Sequence, residues 1–471
     1  MNTTVKNSMD MTRGPILGNI LKFTLPLLLT GTLQLLYNAA DIIVVGQFAS
    51  DNSLAAVTST GALINLIVNM FMGFSVGASV VVAQNFGAGR YKDVSEALHT
   101  AIAVALISGV IVGAFGFFAS KSLLRLMDSP ENVIDLSALY VKIFFLGMPV
   151  NMLYNFGAAI MRAVGDTKRP LYYLTFSGIM NVVLNLIFVI VFHMDVAGVA
   201  LATIISQAIS AFLVIRCLIK SEGPIKLYIS KIKIHKDKLL RIIAVGLPAG
   251  IQGSLFSISN VIIQSSVNGF GSEVMAGSGA AGNIEGFIYV AMNSLHQAAI
   301  TFTSQNYGAK QYKRIKTVCL ECMGLVATVG FVMGALCRIF APALLSIYTD
   351  NPIEIEFGVL RMSVIALTYF LCGTMDVMVG MLRGIGHSIT PTIVSIACVC
   401  GFRILWIFTV FNTYKAAGHT TEQCFIMLFI SYPISWIAAT LTHTLCFAFH
   451  YRNICKQASC EALTFNDEQT V

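Results

Sequence analysis

Long apolar runs alternate with short polar segments along almost the whole chain. Each run reaches the length of about 20 residues that a helix needs to cross a bilayer. The pattern therefore predicts an all-α integral membrane protein with twelve transmembrane helices. Their expected limits are 16–48, 54–84, 94–120, 136–161, 170–193, 196–219, 239–268, 274–305, 316–348, 357–382, 391–412 and 423–449. Four prolines are expected to break these helices: Pro26, Pro149, Pro248 and Pro433. Neighbouring helices or cavity water would satisfy the backbone groups that each break leaves free.

A polar stripe follows one face of the first predicted helix. It consists of Gln34, Tyr37, Asn38 and Asp41. These positions have the i, i+3, i+4, i+7 spacing of residues that share one helix face. A carboxylate at membrane depth costs about 2.5–3.5 kcal/mol on insertion scales, so it usually faces a cavity or a partner on a transport path. The stripe therefore indicates a transporter. The alternative is that it only packs against a neighbouring helix through hydrogen bonds.

Charge is scarce and unevenly distributed. Asp, Glu, Lys and Arg make up 11% of the chain, against roughly 25% in soluble domains, so most of the chain must lie in lipid. With a cytoplasmic amino terminus, 23 of the 30 Lys and Arg fall on the cytoplasmic side, six fall outside and Arg403 lies within a span. The positive-inside rule therefore predicts a plasma (inner) membrane protein with both termini in the cytoplasm. The same bias explains the net charge of +7 without a nucleic-acid partner.

The sequence contains an internal duplication. The segment Gln84–Ala88 recurs with one change as Gln305–Ala309, and the loop from Arg162 to Pro170 recurs 221 residues later. Each copy holds six predicted spans, an even number, so both copies enter the membrane from the same side. We therefore expect two pseudo-symmetric six-helix lobes, a parallel repeat, around a central cavity. The predicted divisions are an amino-terminal lobe at 1–219, a cytoplasmic linker at 220–238, a carboxy-terminal lobe at 239–455 and a cytoplasmic tail at 456–471.

The duplicated loops, QN(F/Y)GA and R-x-x-G-x-(T/S)-x-x-P, resemble those of the multidrug and toxic compound extrusion (MATE) family of secondary transporters. The resemblance covers nearly the whole chain. It implies an antiporter that exports organic, often cationic or amphipathic, compounds by alternating access while protons or sodium ions enter. It also implies that Asp41 is the family's first-span acid. Asn181 and Asn185 then occupy the fifth-span positions where many members carry Asn and Asp, so the second charge is lost here. Phe256 stands about where some members carry a seventh-span glutamate.

Asp41 is the predicted centre of cation coupling. Protonated, its carboxyl group suits a closed, dry packing of helices; ionised, it can hold an organic cation or a Na⁺ ion. The residues expected to orient it are Asn38, Asn181, Asn185 and Thr203. Apart from Na⁺ at Asp41 we predict no metal site, no cofactor and no catalytic residue. The eleven Cys show no metal-ligand spacing.

A second set of residues is expected to line the substrate cavity. It consists of Gln34, Tyr37, Phe256, Glu285, Asp376 and Arg403. Aromatic side chains suit varied amphipathic ligands and attract cations. A buried Arg requires a counter-charge, so Glu285 or Asp376 is the expected partner of Arg403. That pair is either structural or broken by substrate or protons.

The nearest alternative function is a lipid-linked oligosaccharide flippase of the same superfamily. Its cavity should be cationic to hold a pyrophosphate, whereas the first half of this chain is acidic and rich in amides. A membrane enzyme would need clustered Asp or a His/Asp pair, and His443 and His450 stand apart from any acid on their span. A static channel fits the duplicated, interrupted helices less well than alternating access does. We expect a monomer in the lipid bilayer, with small organic molecules and H⁺ or Na⁺ as its partners.

Overall fold

The protein is helical throughout the part that its structure, a computed structural model, describes. That part comprises residues 9–48, 51–127 and 131–468, without the side chains of 51, 52, 54, 62, 132 and 458–468. All regular secondary structure within these ranges is α-, π- or 3₁₀-helical. A helix satisfies its backbone hydrogen bonds within one segment, as hydrocarbon surroundings require. The predicted all-α class is confirmed.

Eight α-helices in the described ranges begin before residue 263, and eight begin after it. The first eight are α1 (Ile16–Phe48), α2 (Asp51–Gly87), α3 (Tyr91–Leu126), α4 (Glu131–Leu146), α5 (Met148–Ala163), α6 (Lys168–Leu186), α7 (Asp195–Lys220) and α8 (Lys236–Asn268). The others are α9 (Ser272–Gly308), α10 (Tyr312–Ile339), α11 (Ala341–Leu345), α12 (Pro352–Gly384), α13 (Ile389–Ser395), α14 (Phe402–Trp406), α15 (Asn412–Ala416) and α16 (Thr421–Glu468). The π-helical segments are Ile187–Val191 after α6, Ile396–Gly401 before α14 and Ile407–Phe411 after it.

The observed helices match the predicted membrane spans. Ten continuous helical runs are long and apolar enough to cross a membrane, and α4 with α5 forms an eleventh span that bends by 48°. The twelfth predicted span, 274–305, coincides with the 37-residue helix α9, which is more polar and is not among these runs. Every predicted start lies within five residues of an observed helix start. The span predicted at 136–161 is not one straight helix, because it consists of α4 and α5 with the bend between them.

Proline does not break the helices in the way that the sequence predicts. Pro26, Pro248 and Pro433 lie inside the continuous helices α1, α8 and α16. Pro149 stands in the first turn of α5, directly after the bend. The prediction of four broken spans is therefore wrong for three of them. Membrane helices tolerate Pro where neighbouring groups or local adjustments satisfy the carbonyl that loses its donor.

The described residues divide into two compact units, one extending to Ile262 and the other beginning at Ile263. In the first unit, α3 packs against α4 and α5, α5 packs against α7, and α1 lies along α6. In the second unit, α12 is central and packs against α9, α10 and α16. Each polar site lies within a single unit.

Most of α8 belongs to the first unit because it packs closely on α2. The contact is made by Gly73 and Gly77 on α2 and by Gly246 and Gly250 on α8. A Cβ atom at any of these four positions would overlap backbone atoms of the other helix. The two backbones are therefore in direct contact, a close approach that glycine allows and that is common between membrane helices.

The segment 221–235, which joins α7 to α8, is a strap that packs on α3. The backbone N–H of Tyr228 donates to Nε2 of His99 at 3.1 Å. Just beyond the strap, Nζ of Lys238 donates to Oδ1 of Asp93 at 2.6 Å. Side chains on α3 therefore hold the linker predicted at 220–238 along its length, rather than leaving it as a free tether.

Candidate functional site

Asp41 lies about two turns from the end of α1, on the side that meets α6. Its carboxylate accepts a hydrogen bond from the side-chain amide of Asn185 on α6. That amide nitrogen lies 3.4 Å from Oδ1 of Asn181, one turn earlier on the same helix. Thr203, on α7, places its hydroxyl within hydrogen-bonding reach of the same carboxylate. The structure thus brings Asp41 together with three of the four side chains predicted to orient it.

Tyr37 sets the position of α1 against α6. Its ring lies directly on Gly178, where any side chain would overlap it. Its hydroxyl donates to the backbone oxygen of Thr175 at 3.3 Å. Because Tyr37 and Asp41 are one helical turn apart, this contact fixes the level at which Asp41 meets Asn185. The aromatic residue of the polar stripe therefore packs between helices and positions the acid beside it.

Gln34, Asn38 and Phe256 are the other predicted residues of the first unit. Gln34 and Asn38 are exposed on the surface of the unit, and Phe256 on α8 is half-buried. Tyr140, on α4, was not predicted, yet its buried phenol lies near enough to interact electrostatically with Asp41. Sequence spacing could not identify Tyr140, because the packing of α4 against the other helices brings it to α1.

The side chains around Asp41 are rich in oxygen atoms. Oδ1 of Asn185 is buried and has no hydrogen-bond partner among the residues that the structure describes. Carboxylate, amide and hydroxyl oxygens are the hard ligands that alkali and alkaline-earth cations prefer. No three His, Cys, Asp or Glu side chains in the described ranges lie close enough to form a metal site. A cation at Asp41 would therefore be held by one carboxylate and by neutral oxygens.

A buried ion pair joins α9 to α12 in the second unit. Nη2 of Arg361 lies 2.7 Å from Oε2 of Glu285, and Nε lies 3.1 Å from Oε1, so the guanidinium grips both carboxylate oxygens. Nη1 of Arg361 donates to Oγ of Ser278 at 2.9 Å. The guanidinium carbon also lies 4.9 Å from the ring centre of Phe429. Glu285 is thus fully engaged by a basic residue of the neighbouring helix.

The predicted pairing of Glu285 with Arg403 is therefore wrong. Arg361 lies near the start of the span predicted at 357–382 and is one of the six basic residues that the sequence places outside. In the structure α12 begins at Pro352, nine residues before Arg361, and so carries Arg361 into the span to meet Glu285. The predicted pairing is wrong because Arg361 lies deeper in the span than the predicted start of the helix indicates.

Asp376, the other predicted partner of Arg403, lies in a different polar cluster. It is half-buried on α12, and the basic group that acts on it is Arg383, two turns later. Its backbone oxygen lies 2.5 Å from Nδ1 of His296 on α9. Tyr289 is close enough to interact electrostatically with both Asp376 and Arg383. The acid and the base belong to α12, the imidazole of His296 belongs to α9, and His443 on α16 is also close enough to interact electrostatically with Arg383.

The model of the MatE family matches residues 26–187 and again residues 248–409. The chain belongs to the MATE family. The two matches cover the two halves of the sequence separately, as the predicted duplication requires. Together with the observed helices, they make the MATE chain a multi-pass membrane transporter.

Curated relatives and solved structures resemble the MATE chain over most of its length. It is 27% identical over 427 residues to the "Probable multidrug resistance protein YoeA" of Bacillus subtilis, an alignment covering 89% of this chain and 90% of that protein. It is 20% identical over 388 residues to the "Multidrug export protein MepA" of Staphylococcus saprophyticus, covering 82% and 85%. An outward-facing multidrug resistance MATE family transporter of the MOP superfamily has a similar fold, with a TM-score of 0.88 at 21% identity over 96% of this chain and 100% of the other. At this identity the structural likeness concerns the fold alone.

Proposed function

We propose that this MATE transporter is a secondary antiporter that exports organic, often cationic or amphipathic, compounds in exchange for protons or sodium ions. The relatives described as multidrug resistance and multidrug export proteins support the export of such compounds. The arrangement around Asp41 supports coupling to a cation. Alternating access supplies the transport cycle, in which two states of the protein expose the acid to opposite sides of the membrane.

The observation that carries the proposal is the contact of Asp41 with Asn185, because it joins two helices through one carboxylate. An organic ammonium ion or Na⁺ stabilises the ionised carboxylate, and the buried Oδ1 of Asn185 offers a further ligand. A bound proton removes that charge, and the protonated group can then donate to an amide oxygen instead. The two occupants exclude each other, and mutual exclusion at a single group is what couples export of one cation to entry of another.

The loss of the second acid limits the stoichiometry. Asn185 stands where many members carry Asp, so the described contact contains one carboxylate and amide groups. One carboxylate exchanges one positive charge. We therefore expect one monovalent cation to leave for each proton or sodium ion that enters, so that exchange is electroneutral.

The test in cells is the substitution Asp41→Asn. It replaces the carboxylate by an amide of nearly the same shape, so the helices can still pack while the site can no longer change charge. We expect drug resistance to be abolished at unchanged expression. The matched control is Asp135→Asn, which removes an exposed acid on α4 that pairs with Lys121 and should keep full resistance. Full resistance in Asp41→Asn would reject the proposal.

The test of the coupling ion uses purified protein in proteoliposomes. A pH gradient and a sodium gradient are imposed separately, and uptake of a fluorescent organic cation is followed in each. We expect one gradient to drive accumulation, the Asp41→Asn protein to show none, and a membrane potential alone to have no effect. Accumulation driven by potential without either gradient would contradict one-for-one exchange.

A further inference from the structure

Arg403 is a buried cation in the middle of the helical run 389–416, on the short helix α14 between two π-helical segments. Its side chain is only 5% exposed. Nε donates to Oγ of Ser435 at 3.0 Å. The guanidinium carbon lies 3.8 Å from the ring centre of Tyr432 and 5.5 Å from that of Trp436. One hydrogen bond and two aromatic faces are therefore its main contacts.

Among the described residues, no carboxylate belongs to the groups that act most strongly on Arg403. The groups that act on it most strongly are neutral phenols and thiols, which belong to Tyr369, Cys372, Cys400 and Tyr432. Of the two carboxylates that the sequence offers as its partner, Glu285 is engaged by Arg361, and Asp376 is acted on by Arg383. Within the described residues its Nη2 is buried and lacks a hydrogen-bond partner.

A buried guanidinium without an anion is unfavourable, because aromatic faces recover only part of the lost hydration. Buried polar atoms that remain unpaired mark places where a ligand or an ion completes the structure. The fork of an Arg side chain fits the planar pair of oxygens of a carboxylate, or two oxygens of a phosphate. The unpaired Nη2 of Arg403 is therefore a donor for an acceptor that the described residues do not provide.

We propose that Arg403 forms a binding site for an organic anion, a carboxylate or phosphate carried on an apolar or aromatic body. The anionic group would accept hydrogen bonds from Nη2, and the body would pack against the rings around it. These rings belong to α12 and α16, and centroid distances of 5.5 Å between Tyr369 and Trp436 and 5.6 Å between Tyr432 and Trp436 make them one continuous wall. Tyr369 and Tyr432 are half-buried, so the wall reaches the surface of the unit.

This site goes beyond the exchange proposed at Asp41. The acid and amides of the first unit select cations, whereas Arg403 in the second unit selects the opposite charge. A transporter with both sites would accept zwitterionic or anionic amphipathic compounds as well as cations. The anionic group has two sources, a soluble organic acid or the phosphate of a membrane lipid.

The experiment uses the fluorescence of Trp436, which lies beside Arg403. The chain has two Trp residues, so a Trp406→Phe background leaves Trp436 as the reporter. The full-length protein is placed in phosphatidylcholine nanodiscs and titrated with para-nitrobenzoate, a carboxylate that quenches Trp, and with its neutral isostere para-nitrobenzamide. We expect the carboxylate to bind at least about tenfold more tightly, because the charge-assisted contact with Nη2 is lost in the amide. Equal affinities would overturn the proposal.

Variants then assign the preference to Arg403. Arg403→Gln should abolish the tenfold difference, and Lys415→Gln, which removes an exposed cation from the same helical run, should keep it. A preference that survives Arg403→Gln would also overturn the proposal. If Arg403→Gln fails to fold, the comparison of the two probes on the unmodified site still decides.

Two further arms separate the ligand sources and the two proposals. Nanodiscs containing phosphatidylglycerol should weaken para-nitrobenzoate binding if a lipid phosphate occupies the site, and should leave it unchanged if a soluble acid does. Either result, given the carboxylate preference, supports an anion at Arg403. Asp41→Asn should leave carboxylate binding intact, so failure of cation exchange and failure of this site are distinguished.

Discussion

Single charged side chains at membrane depth are compensated very differently in the two units. Asp41 meets neutral amides and a hydroxyl, the environment that the proposed exchange of ions requires. Glu285 meets the fork of Arg361, which holds both of its carboxylate oxygens. A side chain that must bind and release ions needs the first environment, and a side chain that fastens two helices needs the second.

The ion pair of Glu285 with Arg361 leads to a prediction about stability. Glu285→Gln leaves the guanidinium of Arg361 buried without its counter-charge, and removing one partner of a buried pair costs roughly 3–5 kcal/mol. We expect a clear fall in the thermal unfolding midpoint of the purified protein in detergent. Asp135→Asn breaks an exposed pair and serves as the control, which should not change the midpoint measurably. Equal midpoints for the two variants would show that the Glu285 pair does not stabilise the contact of α9 with α12.

For single residues, the sequence predicts contacts that follow from the pattern along one helix or from the family resemblance. The polar stripe of α1 is a local pattern, and the resemblance supplied Asn181 and Asn185, which the structure indeed places at Asp41. The partner of Glu285 was out of reach, because it depends on how deeply α12 sits beside α9. A basic residue near a predicted helix end is assigned to the interface by default, and Arg361 lies nine residues inside the helix.

Among the elements, α2 and α8 depend on glycine more than any hydropathy pattern shows. A methyl group at Gly250 would overlap the backbone oxygen of Met70, and one at Gly246 would approach Cα of Phe74 to 2.7 Å. Neither position can gain a side chain unless the two helices move apart. Separation would disrupt the close packing of α8 on the first unit.

We therefore expect Gly250→Ala to lower the thermal unfolding midpoint and to reduce transport. The matched control is Gly324→Ala on α10, where a Cβ atom meets open space. Alanine in a helix is favoured over glycine by roughly 0.5–1 kcal/mol, so the control should keep or raise the midpoint. A midpoint for Gly250→Ala as high as that of Gly324→Ala would mean that the helices do not approach as closely as described.

Apolar periodicity predicts where helices begin, but it predicts their deformations poorly. All twelve starts were close, and the bend between α4 and α5 lies at the predicted break near Pro149, yet the π-helical segments were missed. The segments Ile187–Val191 and Ile407–Phe411 contain no Gly or Pro that would announce them. They follow Asn185 and Arg403 within a few residues, which agrees with the frequent occurrence of π turns at functional sites. Such turns depend on how side chains pack against neighbouring helices, which the local sequence does not show.

A pair of stacked imidazoles joins the loop after α12 to α16. The rings of His387 and His450 are 3.9 Å apart and inclined by 24°. Partial burial and the nearby His450 hold the pKa of His387 below its ordinary value, because both disfavour the charged form. A depressed pKa stabilises the fold above the unfolded-state pKa of about 6.5, and that stability is lost as the pH falls through the lower, folded-state value.

The thermal unfolding midpoint should therefore decrease as the pH is lowered from about 7 to about 5. His450→Phe keeps a ring against His387 and removes the second imidazole, so its midpoint should depend less steeply on pH. The comparison is made by thermal unfolding of both proteins across that pH range. Identical slopes would show that the stacked pair does not carry this dependence.

Across the whole molecule, the two repeats have the same pattern of helices but different polar residues at corresponding positions. Counting 221 residues on from Asn181 and Asn185 gives Phe402 and Trp406. Amides that surround an acid in the first half thus correspond to aromatic residues beside Arg403 in the second. The repeat explains why the fold was predictable, because two copies of one pattern reinforce each other. It says nothing about charge, so each half had to be argued from its own residues.

Orientation in the membrane decides which side supplies the ion at Asp41. The excess of Lys and Arg on one side, 23 against six, predicts cytoplasmic termini, since basic segments are retained on the side of synthesis. The chain then crosses outward through α1, and Asp41 lies seven residues, or about 10 Å, before its outer end. In this orientation external protons or sodium ions reach the acid through the shorter distance, as inward coupling requires.

Fusions at two positions test that orientation. Green fluorescent protein at the carboxy terminus should fluoresce, and alkaline phosphatase at the same position should be inactive, because the one folds in the cytoplasm and the other only outside. Insertion at the turn between α8 and α9, near Gly271, should give the opposite pair of results. Active phosphatase at the carboxy terminus would reverse the assignment. Asp41 would then lie near the cytoplasmic surface, and an ion entering from outside would have to cross most of the membrane before meeting it.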